Sequence, residues 1–169
     1  MALSKELCGV LAVGVEKERK AHDLYAEAAE KTYHPLGKKM FERLAEEEMK
    51  HEQLLASWAA EGACPVRAGF PPVDKDFLAR ELAKAKAKAA EKPSTNDLEA
   101  IELGQQMERK SIAFYEDCAA KAQDKASKGL FLRLKGEEDK HLAMLTDLYE
   151  FMANPNVWET RQGRAHFDS

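Results

Sequence analysis

The sequence contains the pattern Glu-x-x-His twice, at Glu48 and His51 and again, ninety residues later, at Glu138 and His141. Residues three apart lie on one face of a helix, so each copy places a carboxylate beside an imidazole. One copy would mean little, because roughly half a match is expected by chance in a chain of this composition. Two copies at a fixed offset indicate that the chain is built from a repeated unit.

The same offset of ninety residues relates many positions around these two copies. About a third of the residues in 16–60 are identical to their partners in 106–150. The matches outside the Glu-x-x-His pattern include Glu18-Arg19-Lys20 with Glu108-Arg109-Lys110, Tyr25 with Tyr115, Phe41 with Phe131, Arg43 with Arg133, and Leu55 with Leu145. The chain is therefore predicted to be a tandem repeat of a helix pair.

Four segments carry the spacing of apolar residues that is typical of an amphipathic helix. The predicted helices are 5–32, 35–60, 96–122 and 126–152. Short loops within each pair predict two antiparallel hairpins, and the irregular stretch 61–94 predicts a long crossover that includes a short lysine-rich helix. The expected fold is all-α, a four-helix bundle forming one domain over residues 1–169, with a tail at 153–169.

Each predicted helix carries glutamate, or glutamate and histidine, in the middle of its apolar stripe. The six residues are Glu18, Glu48, His51, Glu108, Glu138 and His141. Four unpaired carboxylates in one core would cost several kcal/mol each, and the stripes contain no lysine or arginine to neutralise them. Two divalent cations would do so, with one imidazole for each metal. This pattern predicts a carboxylate-bridged dinuclear metal site.

Carboxylate oxygens and imidazole nitrogens are ligands that suit iron or manganese, and zinc would also bind them. The alternative is that these glutamates face solvent, as glutamates on helices often do. That solvated position is what we expect for the neighbouring acidic residues Glu46, Glu52, Glu99 and Glu102.

Two further glutamates are expected to support the histidines from outside the ligand set. A histidine that binds a metal usually donates its other ring N–H to a carboxylate. By the symmetry of the repeat, Glu47 should serve His141 and Glu137 should serve His51. The alternative is that both glutamates are solvated.

Tyr25 and Tyr115 lie two helical turns beyond Glu18 and Glu108. From there each hydroxyl could reach a ligand carboxylate across the bundle, although packing in the core would also account for the two rings. The remaining histidines, His22, His34 and His166, have no partner in the repeat and are expected to have surface or local roles.

The composition narrows the range of partners. A formal charge of −4 and a pI near 5.8 argue against nucleic acid or an acidic membrane as the main partner. The apolar stretch Leu7–Val15 is too short to span a membrane and continues into a charged helix, so we interpret it as the start of that helix. The three cysteines at 8, 64 and 118 form no C-x-x-C pair, which predicts no disulfide framework and fits a reducing cytoplasm.

The spaced pairs Glu18 with Tyr25 and Glu108 with Tyr115, together with both Glu-x-x-His motifs, resemble the rubrerythrin branch of the ferritin-like superfamily over about residues 5–152. The resemblance implies a di-iron bundle, in a family whose known members reduce hydrogen peroxide or react with dioxygen and often dimerise. The partners it implies are peroxide or dioxygen, an external electron-donor protein and a second copy of the chain.

Two features depart from the type member of that family. The sequence has no rubredoxin-like C-x-x-C pair, and Ser111 stands three residues after Glu108, where the type member has an additional glutamate ligand. In both respects the chain is similar to shorter, single-domain rubrerythrin-like proteins. Three hypotheses follow: reduction of peroxide or dioxygen, oxidation and storage or delivery of iron, and a structural bundle whose metals neutralise its core.

Overall fold

The computed structural model describes residues 3–32, 34–62, 64 and 96–154. They form four helices: α1 is Lys5–Lys31, α2 is Pro35–Glu61, α3 is Asn96–Lys121 and α4 is Lys125–Ala153. These bounds differ from those expected from the sequence by at most one residue. The prediction of an all-α, ferritin-like four-helix bundle is confirmed. The tail beyond residue 154, and all but the first residues of the expected crossover, lie outside the described residues.

The helices begin where the local sequence satisfies their first backbone N–H groups. The Ser4 hydroxyl accepts a hydrogen bond from the N–H of Leu7, at 3.1 Å, at the start of α1. Asp124 accepts one from the N–H of Ser127, at 2.8 Å, at the start of α4. α2 begins with Pro35, whose missing N–H costs nothing at the first helical position.

The core consists of two apolar clusters separated by the layer of glutamates and histidines. Cluster A contains Leu24, Tyr25, Phe41, Leu44, Ile101, Leu145 and Leu148, among others. Cluster B contains Leu11, Leu55, Tyr115, Phe131 and Leu134, among others. Every helix crosses from one cluster to the other through the polar layer, so each helix contributes to the site near its middle.

The cluster order fixes the direction of each helix. α1 runs from Leu11 in cluster B to Leu24 in cluster A, and α4 runs the same way. α2 runs from Phe41 in cluster A to Leu55 in cluster B, and α3 has that same direction. Because α2 and α3 are parallel, the end of α2 and the start of α3 lie at opposite ends of the bundle, about 40 Å apart for helices of this length. A long connection at this point is therefore a consequence of the topology.

None of the helices in the described parts of the chain has an apolar stretch long enough to cross a bilayer.

The expectation that the chain has no disulfide is wrong. Cys8 and Cys64 are bonded, with their Cα atoms 5.3 Å apart, although 56 residues separate them in the sequence. The antiparallel hairpin brings the start of α1 beside the end of α2, where the N–H of Leu3 donates to the carbonyl of Gly62 at 3.1 Å. Cysteine spacing alone does not reveal this register. Since the argument for a reducing cytoplasm rested on unpaired cysteines, the cytoplasmic location stays a prediction without that support.

Replacing Cys8 and Cys64 together by serine is expected to lower the free energy of unfolding by about 2–4 kcal/mol, because the bond restricts the unfolded chain. Urea unfolding with and without a reductant measures the effect. With reductant, the parent protein and the double variant should unfold at similar urea concentrations. If the oxidised parent already unfolds at the same urea concentration as the variant, the bond does not stabilise the hairpin.

Candidate metal centre

The structure brings the six predicted ligand residues into one layer of the bundle. α1 and α3 each contribute a glutamate, and α2 and α4 each contribute a glutamate with a histidine one turn later. The six are Glu18, Glu48, His51, Glu108, Glu138 and His141, and none has more than 4% of its surface exposed. The layer is therefore shielded from water on every helix.

Glu48 and Glu138 each extend between the two histidines. Glu48 places Oε2 3.3 Å from His51 Nδ1 and Oε1 2.9 Å from His141 Nδ1. Glu138 places Oε1 and Oε2 each 3.1 Å from the Nδ1 atoms of His51 and His141, respectively. One ligand atom from each of these four residues lies within 4.8 Å of the others. Two carboxylates that each face two imidazoles have the arrangement of bridging ligands.

Glu18 and Glu108 are each associated with one histidine. A Glu18 oxygen lies 3.8 Å from Nδ1 of His51, and a Glu108 oxygen lies 3.9 Å from Nδ1 of His141. The centre therefore divides into two half-sites, one formed by Glu18 with His51 and one by Glu108 with His141. The ring centroids of the two histidines are 5.4 Å apart.

Each tyrosine hydroxyl donates a hydrogen bond to a carboxylate that belongs to the other repeat. Tyr25 donates to Glu108 and Tyr115 donates to Glu18. Burial raises the pKa of both tyrosines well above the usual range, so their hydroxyls remain protonated and act as donors. The sequence predicted that each hydroxyl could reach a ligand carboxylate across the bundle, and both do so.

Sequence reasoning missed a pair of glycines, of which Gly104 makes room for Tyr25 and Gly14 makes room for Leu55. A Cβ atom at Gly14 would lie 3.0 Å from Leu55 Cδ1 and 3.6 Å from the Tyr115 hydroxyl oxygen. A Cβ atom at Gly104 would lie 3.0 Å from Cε1 of Tyr25, which is closer than a packed core tolerates without movement. The two glycines are also ninety residues apart, so the repeat offset could have identified them beyond the compared window.

The outer nitrogen of each histidine contacts a glutamate from the other repeat. Nε2 of His141 lies 2.8 Å from Glu47 Oε2, and Nε2 of His51 lies 2.7 Å from Glu137 Oε2. This is the crossed pairing expected from the symmetry of the repeat. An imidazole that donates its Nε2–H outward keeps the Nδ1 lone pair directed toward the centre.

The electrostatics of the metal-free carboxylates follow from burial. Burial raises the pKa of Glu18 and Glu108 well above the usual range, and the nearby charges of Glu48 and Glu138 raise it further. Burial also acts to raise the pKa of Glu138, but hydrogen bonds with the two histidines outweigh it and lower this pKa to about 2. Glu18 and Glu108 are therefore the carboxylates that hold protons when no cation is bound.

The histidines hold protons for the opposite reason. Burial by itself would lower the pKa of His141, but hydrogen bonds with Glu138 and Glu48 raise it to about 11. The pKa of His51 is likewise raised, by hydrogen bonds with Glu138, Glu18 and Glu48 that outweigh burial. In the metal-free protein, protons occupy the atoms that would otherwise bind cations.

The donor set fits the metals expected from the sequence. Each carboxylate oxygen of Glu138 lies 3.1 Å from the Nδ1 atom of one histidine, but neither contact has the geometry of a well-formed hydrogen bond, although the residue is fully buried. Buried carboxylate oxygens with poor hydrogen bonds are costly, and a cation between these oxygens and the Nδ1 atoms would remove that cost. Oxygen and imidazole ligands in this arrangement suit iron, manganese or zinc.

One acidic residue was assigned to the wrong face. Glu52 was expected to be solvated, but it is 3% exposed and accepts hydrogen bonds from Arg19 at 2.7 and 3.1 Å. Its position falls where α2 packs against α1, so the partner on the neighbouring helix determines its burial. Glu46 and Glu102 are exposed, and Glu99 is partly buried.

The residues outside the ligand set take local positions. Nδ1 of His22 lies 2.9 Å from the carbonyl oxygen of Ala45, and His34 caps the start of α2. Ser111 is buried on α3, one turn after Glu108. His166 lies outside the described residues.

Two comparisons with known proteins bear on the family and the fold of the chain. A family model described as rubrerythrin matches residues 9–149. A solved structure from Anabaena variabilis, a two-domain protein containing DJ-1/ThiJ/PfpI-like and ferritin-like domains, matches with a TM-score of 0.67 at 19% sequence identity. The match covers 90% of this chain and 42% of that one, so it concerns the fold and less than half of that protein. No curated protein sequence matches the chain.

The metal-free protein is expected to lose stability as the pH rises from about 6.5 to 9. The pKa values of both histidines are raised above their unfolded value of 6.5, that of His141 to about 11, so the folded state holds more protons in this window. The raised pKa values of Glu18 and Glu108 act in the same direction from their unfolded value of 4.5 upward. Each excess proton corresponds to about 1.4 kcal/mol per pH unit. The lowered pKa of Glu138 acts only below its unfolded value of 4.5, outside this window.

Urea unfolding of chelator-treated protein at several pH values checks this expectation. A stability that is flat or rises across the window would contradict the assignment of protons to these four groups. In the same window, binding of a divalent cation should strengthen as the pH rises, because the cation displaces those protons.

Proposed function

This chain belongs to the rubrerythrin family, and we propose that it is an oxidoreductase that reduces hydrogen peroxide or dioxygen at a carboxylate-bridged di-iron centre. The observation that carries the proposal is that Glu48 and Glu138 each face both histidines. Bridging carboxylates hold two metal ions close enough to act together on one small oxidant. A bundle that needed cations for neutralisation alone would not require this shared geometry.

Glu18, Glu48, His51, Glu108, Glu138 and His141 are the residues that would hold the metals. Two iron ions bound there would supply the two electrons that convert hydrogen peroxide, with two protons, into two molecules of water, whereas zinc would fit the ligands without redox chemistry.

The residues of the chain have three roles in this proposal. Tyr25 and Tyr115 donate hydrogen bonds that hold the carboxylates of Glu108 and Glu18 in place. Glu47 and Glu137 orient the histidines through their outer nitrogens. Clusters A and B close the layer on both sides and keep bulk water from it.

The electrons must be replaced after each reaction. The sequence has no C-x-x-C pair of the rubredoxin type, so we assign this role to an external electron-donor protein. A homodimer, which the family resemblance implies, completes the proposal, and the cytoplasmic location stays a prediction that the bond between Cys8 and Cys64 does not support.

The test is to load the protein anaerobically with Fe(II) and to mix it separately with peroxide and with dioxygen while recording optical spectra. We expect two irons per chain, oxidation by one or both oxidants, and repeated turnover when an artificial donor is present. Accumulation of many irons per chain would instead favour the alternative of iron oxidation and storage or delivery. Two bound irons that neither oxidant oxidises would leave a structural role, and fewer than two would refute the dinuclear centre.

The variants Glu47→Gln and Glu137→Gln should keep the fold and weaken metal binding about ten- to a hundredfold, because each removes the charge that orients a ligand histidine. Chelator competition measures the affinity. Glu46→Gln is the matched control, since Glu46 precedes Glu47 on α2 and is exposed. Equal effects at all three positions would mean that the contacts between the outer glutamates and the histidines do not support the metals.

A further inference from the structure

The glutamates that contact the histidines are themselves held by arginines one turn earlier on the same helix. Arg43 Nε donates to Glu47 Oε1 at 2.9 Å, and Arg133 Nε donates to Glu137 Oε1 at 3.0 Å. In both halves the arginine uses Oε1 and the histidine uses Oε2. Each carboxylate is thus fixed by two donors on opposite oxygens, one from its own helix and one from the other hairpin.

An exposed ion pair within one helix is ordinarily a weak surface interaction. Here the arginines are exposed, with 63% and 67% of their side chains accessible, but their partners are 29% and 31% accessible and reach a buried histidine. Arg43, Glu47 and His51 are all identical to their partners ninety residues later, in a repeat where about a third of positions match. The arginine therefore recurs together with the contact that it supports.

We propose that Arg43 and Arg133 are positioning residues of the metal centre, which act through Glu47 and Glu137 on His141 and His51. This inference rests on the proposed metal-binding function. Glu47 and Glu137 are partly exposed, so without the arginine each carboxylate is free to turn toward water. The arginine keeps Oε2 directed at the histidine, and the histidine then keeps Nδ1 directed at the metal.

The direction in which metal affinity changes when the arginine is replaced distinguishes positioning from simple charge repulsion. An arginine is positive and repels a cation, so removing its charge should by itself strengthen metal binding. Loss of positioning should weaken metal binding instead. The two explanations therefore predict opposite results for one substitution.

The experiment measures Co(II) affinity by chelator competition in the full chain. Arg43→Gln should weaken binding by about two- to fivefold, the range that exposed ion pairs cover. In the Glu47→Gln background the same change should have no further effect, because an arginine that acts through Glu47 has nothing left to hold. Arg133→Gln and Glu137→Gln should behave in the same way.

Lys50→Gln is the matched control for charge. Lys50 is exposed on α2, beside His51, and its replacement removes one positive charge from the same helix. It should leave Co(II) affinity unchanged or slightly stronger. Urea unfolding of the metal-free variants provides the second measurement, because a purely stabilising arginine would lower unfolding stability without changing the affinity.

The outcomes distinguish this inference from the proposed function. If the parent binds two Co(II) ions and Arg43→Gln binds them as tightly as the parent or Lys50→Gln, the positioning role is wrong. An equal loss in the parent and in the Glu47→Gln background would also overturn it. A parent that binds two metals but reduces neither oxidant would refute the proposed reaction alone, and one that binds no metal would refute both.

Discussion

The structure depends on the cost of placing four carboxylates in a layer that water does not reach. Glu48 and Glu138 are fully buried, and Glu18 and Glu108 are nearly so. A buried charge needs an opposite charge, a proton or a hydrogen bond to be stable. The metal-free protein uses protons on Glu18, Glu108 and the two histidines, and the same atoms can exchange those protons for cations. The four negative charges can be counted in the sequence, but this compensation by protons depends on the distances between the helices.

The buried carboxylates and histidines of each repeat are stabilised by side chains from the other repeat. Tyr25 and Tyr115 each donate a hydrogen bond to a glutamate of the other hairpin, Glu108 and Glu18 respectively. Glu47 and Glu137 likewise contact the histidine of the other hairpin. Each hairpin supplies the glutamate and the histidine of one half-site, but the residues that orient them belong to the other hairpin. The contacts that orient the ligands are therefore also contacts that join the hairpins. The geometry of the centre thus depends on how the two hairpins pack together. Clusters A and B supply the apolar contacts on either side.

The predictable features are those that depend on helical phase. Glu18 and Glu48 lie on the apolar stripes of their helices, which predicted that both face the core. The offset of ninety residues then predicted the same for Glu108 and Glu138. Features that depend on the register between helices were not accessible. The bond between Cys8 and Cys64 requires knowing that the start of α1 lies beside the end of α2. The burial of Glu52 requires knowing that Arg19 faces it from α1, and the distances from Glu48 to the two histidines require the separation of α2 and α4.

The two half-sites share their ligands but differ in the residues next to them. In the first repeat, Arg19 follows Glu18 and pairs with Glu52, which follows His51, so a buried ion pair connects the two ligand helices. In the second repeat the corresponding positions are Arg109, which is exposed, and Leu142, whose side chain cannot form an ion pair. An ion pair thus connects α1 and α2 beside the centre, whereas α3 and α4 have no ion pair at the equivalent positions. Equal affinity for two metals does not follow from the repeat, because identical ligands are held by hairpins that differ in local charge and in the ion pair between their helices.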